Sequence, residues 1–267
     1  MNLLTDNPEL YEHQFPDPEH SAARFVHDIV TRFDGGRDLL DIGCGTGRDA
    51  GWLSRNGYRV AGLDSSEAML AHVREHHPAV DVALADMRSF DLGRRFDVIT
   101  CLDSAMLYCH TNADLDAFLA RCRTHLNADG LLVAEMRNGA FFLGNTELLD
   151  GVRTRSVTWR GTEYTSHTEL WIDHAEQLLR RRRTWEWAGT EPLVQRSAWR
   201  LLFPQELRHL LDLAGFDVLA LFDSPGPRTD QPWTADAPLS TALSGDRLHL
   251  VARLRRSGHP GKEPACP

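Results

Sequence analysis

Cysteine is sparse and shows no paired spacing. The chain of 267 residues has five, Cys44, Cys101, Cys109, Cys122 and Cys266, an odd number without a CxxC. Four lie in apolar-periodic segments, which argues against a disulfide framework or zinc ribbon and predicts reduced core thiols. The thirteen histidines include no HExxH motif. No two imidazoles are expected on one helical face, and the adjacent His76 and His77 read as solvated, so no metal is expected. Long apolar runs are also missing: none approaches the roughly 20 residues that cross a bilayer, and no membrane partner is expected. Positive charge is in deficit, with a formal net charge of −9, so the average surface repels nucleic-acid phosphates and anionic lipid. No nucleic-acid partner is expected. The opening stretch MNLLTDNPELYEHQFPDPEH has acids where a secretory signal needs lysine or arginine. The expectation is a cytoplasmic protein with a small-molecule partner.

What the chain does have is 42% hydrophobic residues, enough for one large core or a core with an inserted piece. Residues 1–20, with Pro8, Pro16 and Pro18, read as a loop or short helical turn outside the core. SAARFVHDIVTRF (21–33) sets Ala22, Phe25, Ile29 and Phe33 on one helical face, with Ser21 as the cap. DLLDIG reads as a strand, RDAGWLSRNG as a helix stopped at Gly57, and YRVAGLD as a second strand. SSEAMLAHVREHH opens with a helix-start signal, and VDVALAD is a short strand. RFDVITCLDSAM is a continuous apolar run, as in a strand covered on both faces. NADLDAFLARCRTHLNADG predicts a helix ending at Gly130, before the strand LLVAEMR. Five alternations of strand and helix predict a doubly wound, mostly parallel α/β sheet.

Between about 150 and 200 the texture changes to segments rich in Thr, Val, Trp and Arg, among them VRTRSVTWRG, TEYTSHTELWID and QLLRRRRTWEWAG, which read as antiparallel strands. In such a strand Arg180 to Arg183 alternate between faces, so solvated or salt-bridged arginines are expected. FPQELRHLLDLAGF predicts a helix from Pro204 to Gly215, and DVLALFD and RLHLVARL two last strands. The proline-rich segment between them is a surface loop or part of a substrate lid. The expected division is a lid segment 1–20, a cofactor-binding core 21–138, an antiparallel insert 139–200, the rest of the core 201–255, and a disordered tail 256–267.

The stretch LLDIGCGTGRDAGWLSRNGYRVAGLDSS raises the question of its ligand. A strand, a glycine turn and a helix start bring backbone amides close to a ligand without Cβ obstruction. Gly43, Gly45 and Gly47 stand as GxGxG, whereas a dinucleotide site has GxGxxG and needs its third glycine for helix packing; here Arg48 takes that place. Asp41 precedes the loop where it would repel a pyrophosphate and suit an ammonium. Asp64 ends the second strand, placed to accept from two ribose hydroxyls, and Asp86 follows the third, placed to accept from an adenine amine. A ligand with a ribose, an adenine and a cationic amino-acid tail satisfies all three acids.

LLDIGCGTG, VAGLDSSEAML, ADMRSF and RFDVITCLDSAM, in this order over about residues 20 to 136, make the chain resemble the class I S-adenosylmethionine-dependent methyltransferases. The resemblance implies a seven-stranded Rossmann-like sheet with S-adenosyl-L-methionine as cofactor. It implies that Asp41, Gly43 and Gly45 border the methionine part, that Asp64, Ser65 and Met69 hold ribose and adenine, that Asp86 and Met87 line the adenine edge, and that Leu102 lies near the sulfonium. An antiparallel insert after the fifth strand, followed by LLFPQELRHLLDLAGF, is similar in layout to bacterial small-molecule N-methyltransferases acting on glycine or on antibiotic amino sugars, which implies an insert that builds a dimer interface and part of the acceptor pocket.

In-line methyl transfer needs chiefly an aligned acceptor lone pair, and a neutral amine needs no strong base. Tyr11 and Phe15 are candidates to close over the cofactor, Tyr11 also to contact it, and Arg24 to pair with its carboxylate. At the carboxyl ends of strands four and five stand Asp103, Tyr108, His110, Glu135, Arg137 and Asn138. Asp103, Tyr108 and His110 are the candidate catalytic residues, with His110 as a possible base; Phe15, Glu135, Arg137 and Asn138 are candidates for binding the acceptor. The reading is N-methylation of an amine in an amino sugar or amino acid-derived natural product by a homo-oligomer. The alternatives are O-methylation, a nicotinamide-dependent oxidoreductase, and a binding module without turnover.

Overall fold

The apolar run before the glycines forms β1 (Asp38–Ile42), in which four of five residues are buried. Leu39 packs to one side of the sheet and Leu40 and Ile42 to the other, as alternating side chains on a doubly covered strand must. In the computed structural model, which describes residues 2–144, 149 and 151–256, the chain begins with α1 (Pro8–Gln14) and α2 (Ser21–Arg32), and β1 is followed by α3 (Arg48–Arg55), β2 (Arg59–Asp64), α4 (Glu67–His76), β3 (Asp81–Leu84) and β4 (Phe96–Cys101). A single 3-10 turn (Ala105–Tyr108) leads to α5 (Asn112–His125), β5 (Leu126–Arg137) and α6 (Gly139–Gly144). Four strands follow, β6 (Arg153–Trp159), β7 (Thr162–Asp173), β8 (Leu178–Glu186) and β9 (Leu193–Arg200), then α7 (Pro204–Leu213), β10 (Phe216–Phe222) and β11 (Arg247–Leu254).

Seven strands form one sheet in the order β10-β11-β5-β4-β1-β2-β3. All are parallel except β11, which is antiparallel to β5 and β10. The expected doubly wound α/β sheet is present. Its strand order reverses between β1 and β4, where open α/β sheets hold ligands at the carboxyl ends of their strands. The strands β6 to β9 form a separate antiparallel sheet, one strand more than the three segments read above, because LVQRSAWR pairs as β9.

The N-terminal segment is not outside the core: Leu3, Leu4 and Leu10 are buried with Trp185 of β8, so its apolar positions tie it to the second sheet. Ser21 does not cap α2; Asp17 Oδ1 accepts from the Ser21 amide at 3.1 Å and from its hydroxyl at 3.0 Å. The helix expected to run to Gly130 stops at His125, because Leu126 already pairs with Phe96 and Asn127 Nδ2 donates to Asp97 Oδ1. His72 and His76 do share a helical face and stack with centroids 4.0 Å apart. Among the described residues they belong to no group of three metal-ligand side chains. His77 is half-buried rather than solvated. The expected disordered tail lies outside the described residues beyond Arg256. Cys101, Cys109 and Cys122 are buried free thiols. No described helix is long and apolar enough to cross a membrane.

Asn138, expected on the acceptor side, is fully buried and structural. Its Nδ2 donates to the carbonyls of Leu243 and Gly245 at 2.8 and 2.9 Å, and its Oδ1 accepts from the Ala140 amide. It staples the loop before β11 to the end of β5. Removing it leaves part-buried backbone groups unpaired, each costing up to about 1–3 kcal/mol. Asn138→Ala is therefore expected to lower unfolding free energy by about 2 kcal/mol or more, read from denaturant midpoints; an unchanged midpoint with a raised acceptor KM would restore the binding role.

Candidate active site

From β1 the chain turns through Gly43 to Gly47 into α3. The amides of Gly43 and Cys44 both donate to Leu63 O, at 2.8 and 3.1 Å, strapping the loop to β2. Asp64, the last residue of β2, accepts from the Gly45 amide through Oδ2 and from the Ser66 amide through Oδ1, both at 2.9 Å. One carboxylate thus fixes the glycine loop and the entry to α4. Gly45 is left-handed, and a Cβ built there meets nothing within 4 Å, so the space over the loop is open. At Gly47, also left-handed, a Cβ would stand 2.7 Å from Val73 Cγ2. Close packing of α3 against α4 therefore falls on Gly47 and not on Arg48.

The carboxylates around this loop set its chemistry. Asp41 is buried and accepts from Thr100 Oγ1 at 2.7 Å; burial pushes its carboxyl up to about 7 in spite of that bond. Asp49, which the sequence reading passed over, is pushed upward by burial, with Arg228 and Arg48 opposing. Its Oδ1 has no hydrogen-bond partner among the described residues. An open glycine cradle flanked by buried carboxylates suits a cationic ligand and penalises a pyrophosphate. Asp86 is held by Arg88, whose side-chain hydrogen bonds bring its carboxyl down to about 2, so an adenine amine there has to share that carboxylate. Ser65 is exposed and Met69 buried beside it, its amide donating to Ser66 Oγ. Met87 and Leu102 are half-buried, packed on opposite sides of the sheet. Arg24 is exposed with its guanidinium 6.0 Å from the Trp52 ring, and it lines a cleft with Gly226 and Trp233 rather than the glycine loop.

At the carboxyl end of β4 two consecutive residues, Asp103 and Ser104, adopt left-handed backbone with φ of 46° and 66°, a strained conformation for residues other than glycine. Glu135 of β5 holds it in place: its Oε2 accepts from the Asp103 amide at 3.1 Å, and its backbone carbonyl accepts from the Ser104 amide. Glu135 was expected to face an acceptor amine. It is instead fully buried and paired with Arg228 at 2.5 Å and Arg247 at 3.0 Å. Burial alone would raise its carboxyl, but the two guanidiniums outweigh it and hold it below its ordinary value. Asp103 shares the same two arginines at longer range, 3.7 Å from Arg228 and 3.5 Å from Arg247, with its side chain 50% exposed, so it is the carboxylate of this pair that faces outward. Arg228 and Arg247 carried no local signal in the sequence: one sits in a proline-rich loop, the other at a strand start.

Tyr11 reaches this rim. Burial, together with nearby Asp103, pushes its phenol up to about 12, and its ring lies 5.1 Å from Phe15, which is 40% exposed. The N-terminal segment is clasped on three sides. Arg48 donates to Phe15 O at 2.8 Å, Ser66 Oγ donates to Thr5 O at 3.0 Å, and His13 Nε2 bonds the Thr158 carbonyl of β6 at 2.9 Å. His110 Nε2 donates to Ala198 O of β9 at 3.0 Å, so a base role would fall to Nδ1. Tyr108 is 46% exposed, 6.2 Å from the Trp199 ring. Arg137 lies over the same indole at 5.3 Å.

A family model described as a methyltransferase domain matches residues 39–130. The chain is 41% identical over 97 residues to a dTDP-3-amino-3,6-dideoxy-alpha-D-glucopyranose N,N-dimethyltransferase of Streptomyces fradiae, a match covering 36% of this chain and 38% of that one. It spans less than half the length of this and two further amino-sugar N,N-dimethyltransferases. A protein of Mycolicibacterium smegmatis described as a probable S-adenosylmethionine-dependent methyltransferase is 30% identical over 228 residues, 81% of this chain and 80% of that one. Among solved structures, the S-adenosylmethionine-bound amino pentose methyltransferase of calicheamicin biosynthesis from Micromonospora echinaspora is 25% identical, with a TM-score of 0.67 over 92% of this chain and 94% of that one. With an aspartate-pinned glycine cradle suited to a cation, a sheet of this strand order, and a relative matched over four fifths of both chains, the chain belongs to the class I S-adenosylmethionine-dependent methyltransferases.

Proposed function

We propose that the enzyme methylates the amine of an amino sugar. The reading is carried by Asp103, a half-exposed carboxylate held in strained backbone at the rim beside Tyr11. A carboxylate there accepts hydrogen bonds from an amine and orients its lone pair, which in-line transfer requires. An amine acceptor asks little of a general base, in keeping with a His110 whose Nε2 is already bonded to a carbonyl. The amino-sugar N,N-dimethyltransferases among the relatives support the same substrate class.

S-Adenosylmethionine supplies a methyl group made electrophilic by its positively charged sulfur. In this proposal Asp41 and Asp49 face the cofactor's ammonium, Gly43 and Gly45 leave room for its methionine part, and Asp64 accepts from the ribose hydroxyls with Ser65 and Met69 alongside. Asp86 and Met87 border the adenine, Leu102 lies near the sulfur, and Tyr11 and Phe15 exclude water from above. Tyr108 and Arg137 face the acceptor. The proposal keeps residues 1–20 as the covering segment, 21–138 with 201–255 as the cofactor-binding core, and 139–200 as the insert that completes the acceptor side. It includes a cytoplasmic homo-oligomer with a part in antibiotic biosynthesis. The exposed Trp171 and Val194 on the outer face of the insert support an interface there.

With methyl-labelled cofactor and a panel of amino sugars and their hydroxyl counterparts, label is expected on nitrogen; label on oxygen alone would overturn the assignment. Asp103→Asn is expected to lower kcat/KM about 100-fold through loss of acceptor orientation, with cofactor affinity unchanged.

Asp41 gives a pH dependence. Its carboxyl, raised to about 7, is largely protonated below that pH, and a cationic ligand favours the ionised form. Cofactor binding below pH 7 therefore expels a proton, and affinity should fall by up to about tenfold per pH unit below 7 and level off above it. Calorimetry in buffers of different ionisation enthalpy measures the released proton. Asp41→Asn is expected to flatten the profile.

A further inference from the structure

The excursion between β10 and β11 sends one cation into the site. A Cβ at Gly226 would collide with the ring of His249, so the bare glycine lets the chain pass close to β11. His249 stands opposite Glu135 in the β11–β5 register, and two residues after the glycine Arg228 reaches that glutamate. Beyond it, Trp233 Nε1 donates to Asp28 Oδ2 of α2 at 2.9 Å and ties the excursion down. Arg228 and Arg247 thus come to one buried carboxylate from two segments, the first on Oε2 and the second on Oε1.

Asp103 meets the same two guanidiniums differently. Arg228 Nε and Arg247 Nη1 both approach its Oδ1, which leaves Oδ2 for an acceptor. The charges of the four groups cancel, two carboxylates against two guanidiniums. The groups around them keep that balance. Arg137 faces Asp246 as well as Asp103, and Asp246 lies 3.7 Å from Arg247. Burial keeps Tyr11, Tyr108 and His249 uncharged near neutral pH: both phenols are raised, that of Tyr11 to about 12, and the imidazole is lowered to about 4. Asp41 and Asp49 also lie in the field of Arg228, but on the side of the glycine loop, where the cofactor's ammonium is placed.

We propose that Arg228 is a positioning residue for methyl transfer: it offsets the charge of Asp103 while leaving one oxygen free, so that this carboxylate aims the acceptor amine without holding a proton on it. On the amine-acceptor reading, the obstacle is the ammonium form, which has no lone pair. A lone carboxylate stabilises that form, and a guanidinium beside it destabilises it. The ammonium gives its proton to water at the exposed side of Asp103. The nitrogen lone pair then bonds the methyl carbon as the carbon–sulfur bond breaks, its electron pair staying on sulfur, and the methylated nitrogen releases a second proton to water.

The test is the pH profile of kcat for the full chain with the amino sugar that takes most label, at saturating S-adenosylmethionine so that Asp41 does not enter. Such a profile reports groups in the bound complex. Arg228→Gln, in which Arg247 still faces Glu135, is expected to raise the acidic limb by about one pH unit, a loss of about tenfold in kcat below the limb. Arg228→Lys is expected to restore it. Glu135→Gln, which removes a negative charge and keeps an acceptor for the Asp103 amide, is expected to lower the limb; a folding defect does not move it in both directions. Asn138→Ala loosens the same excursion without changing its charge and is expected to leave the limb in place. Calorimetry of the same amino sugar with the chain saturated by S-adenosylhomocysteine, in buffers of different ionisation enthalpy, is expected to show about one proton released by the wild type and fewer by Arg228→Gln. S-Adenosylhomocysteine affinity reports that each variant is folded. A limb and a proton release unchanged in Arg228→Gln, or a limb moved equally by Asn138→Ala, overturns the role of Arg228 and leaves the amine reading intact. Label on oxygen alone removes the amine reading itself.

Discussion

The carboxylate of Asp64 is the constraint on which the cofactor side depends. It closes two backbone bonds of equal length, one to the glycine loop and one to the start of α4, so β1, β2 and both following helices are fixed about one point. Charge-assisted bonds of this kind are about twice as strong as neutral ones. They favour one shape for a loop in which Gly43, Gly45 and Gly47 are all left-handed. The open space over Gly45 is a product of that pinning.

Much of this was legible in the sequence. The doubly wound sheet follows from the alternation of apolar runs with capped helical segments, and GxGxG with its flanking aspartates separates a cationic cofactor from a dinucleotide. The helix caps were less secure. Ser66 caps α4 as its position suggests, but the acceptor at α2 is Asp17 rather than Ser21, because a residue four positions earlier folds back onto the first turn. What the sequence could not show were contacts between distant segments. Glu135 reads as an acceptor-facing carboxylate until Arg228, 93 residues on, is seen to occupy it. Asn138 reads the same way until the carbonyls of Leu243 and Gly245 are found at its amide.

The second sheet and the N-terminal segment are coupled in the same non-local manner. Trp185 is buried against Leu3, Leu4 and Leu10, and Arg48, in the place of a dinucleotide site's third glycine, reaches the carbonyl of Phe15. An arginine that marks a departure from one cofactor motif thus serves to tie down the segment lying above the glycine loop. Period-2 alternation in β8 was readable from the sequence. That its two faces differ, one neutralised by acids and the other stacked on indoles, was not.

The reversed direction of β11 has a topological consequence. In a sheet whose strands all run one way, each strand delivers one connection to the working rim and the next connection crosses back below. Because β10 rises to that rim and β11 descends from it, the whole excursion 223–246 stays on the side of the glycine turn, and its arginine at 228 meets the buried glutamate of β5. The excursion can therefore vary without rerouting any crossover helix only where it is not anchored, since Arg228, Trp233 and the carbonyls of Leu243 and Gly245 bond to Glu135, Asp28 and Asn138. New acceptor preferences can arise in the residues between those anchors.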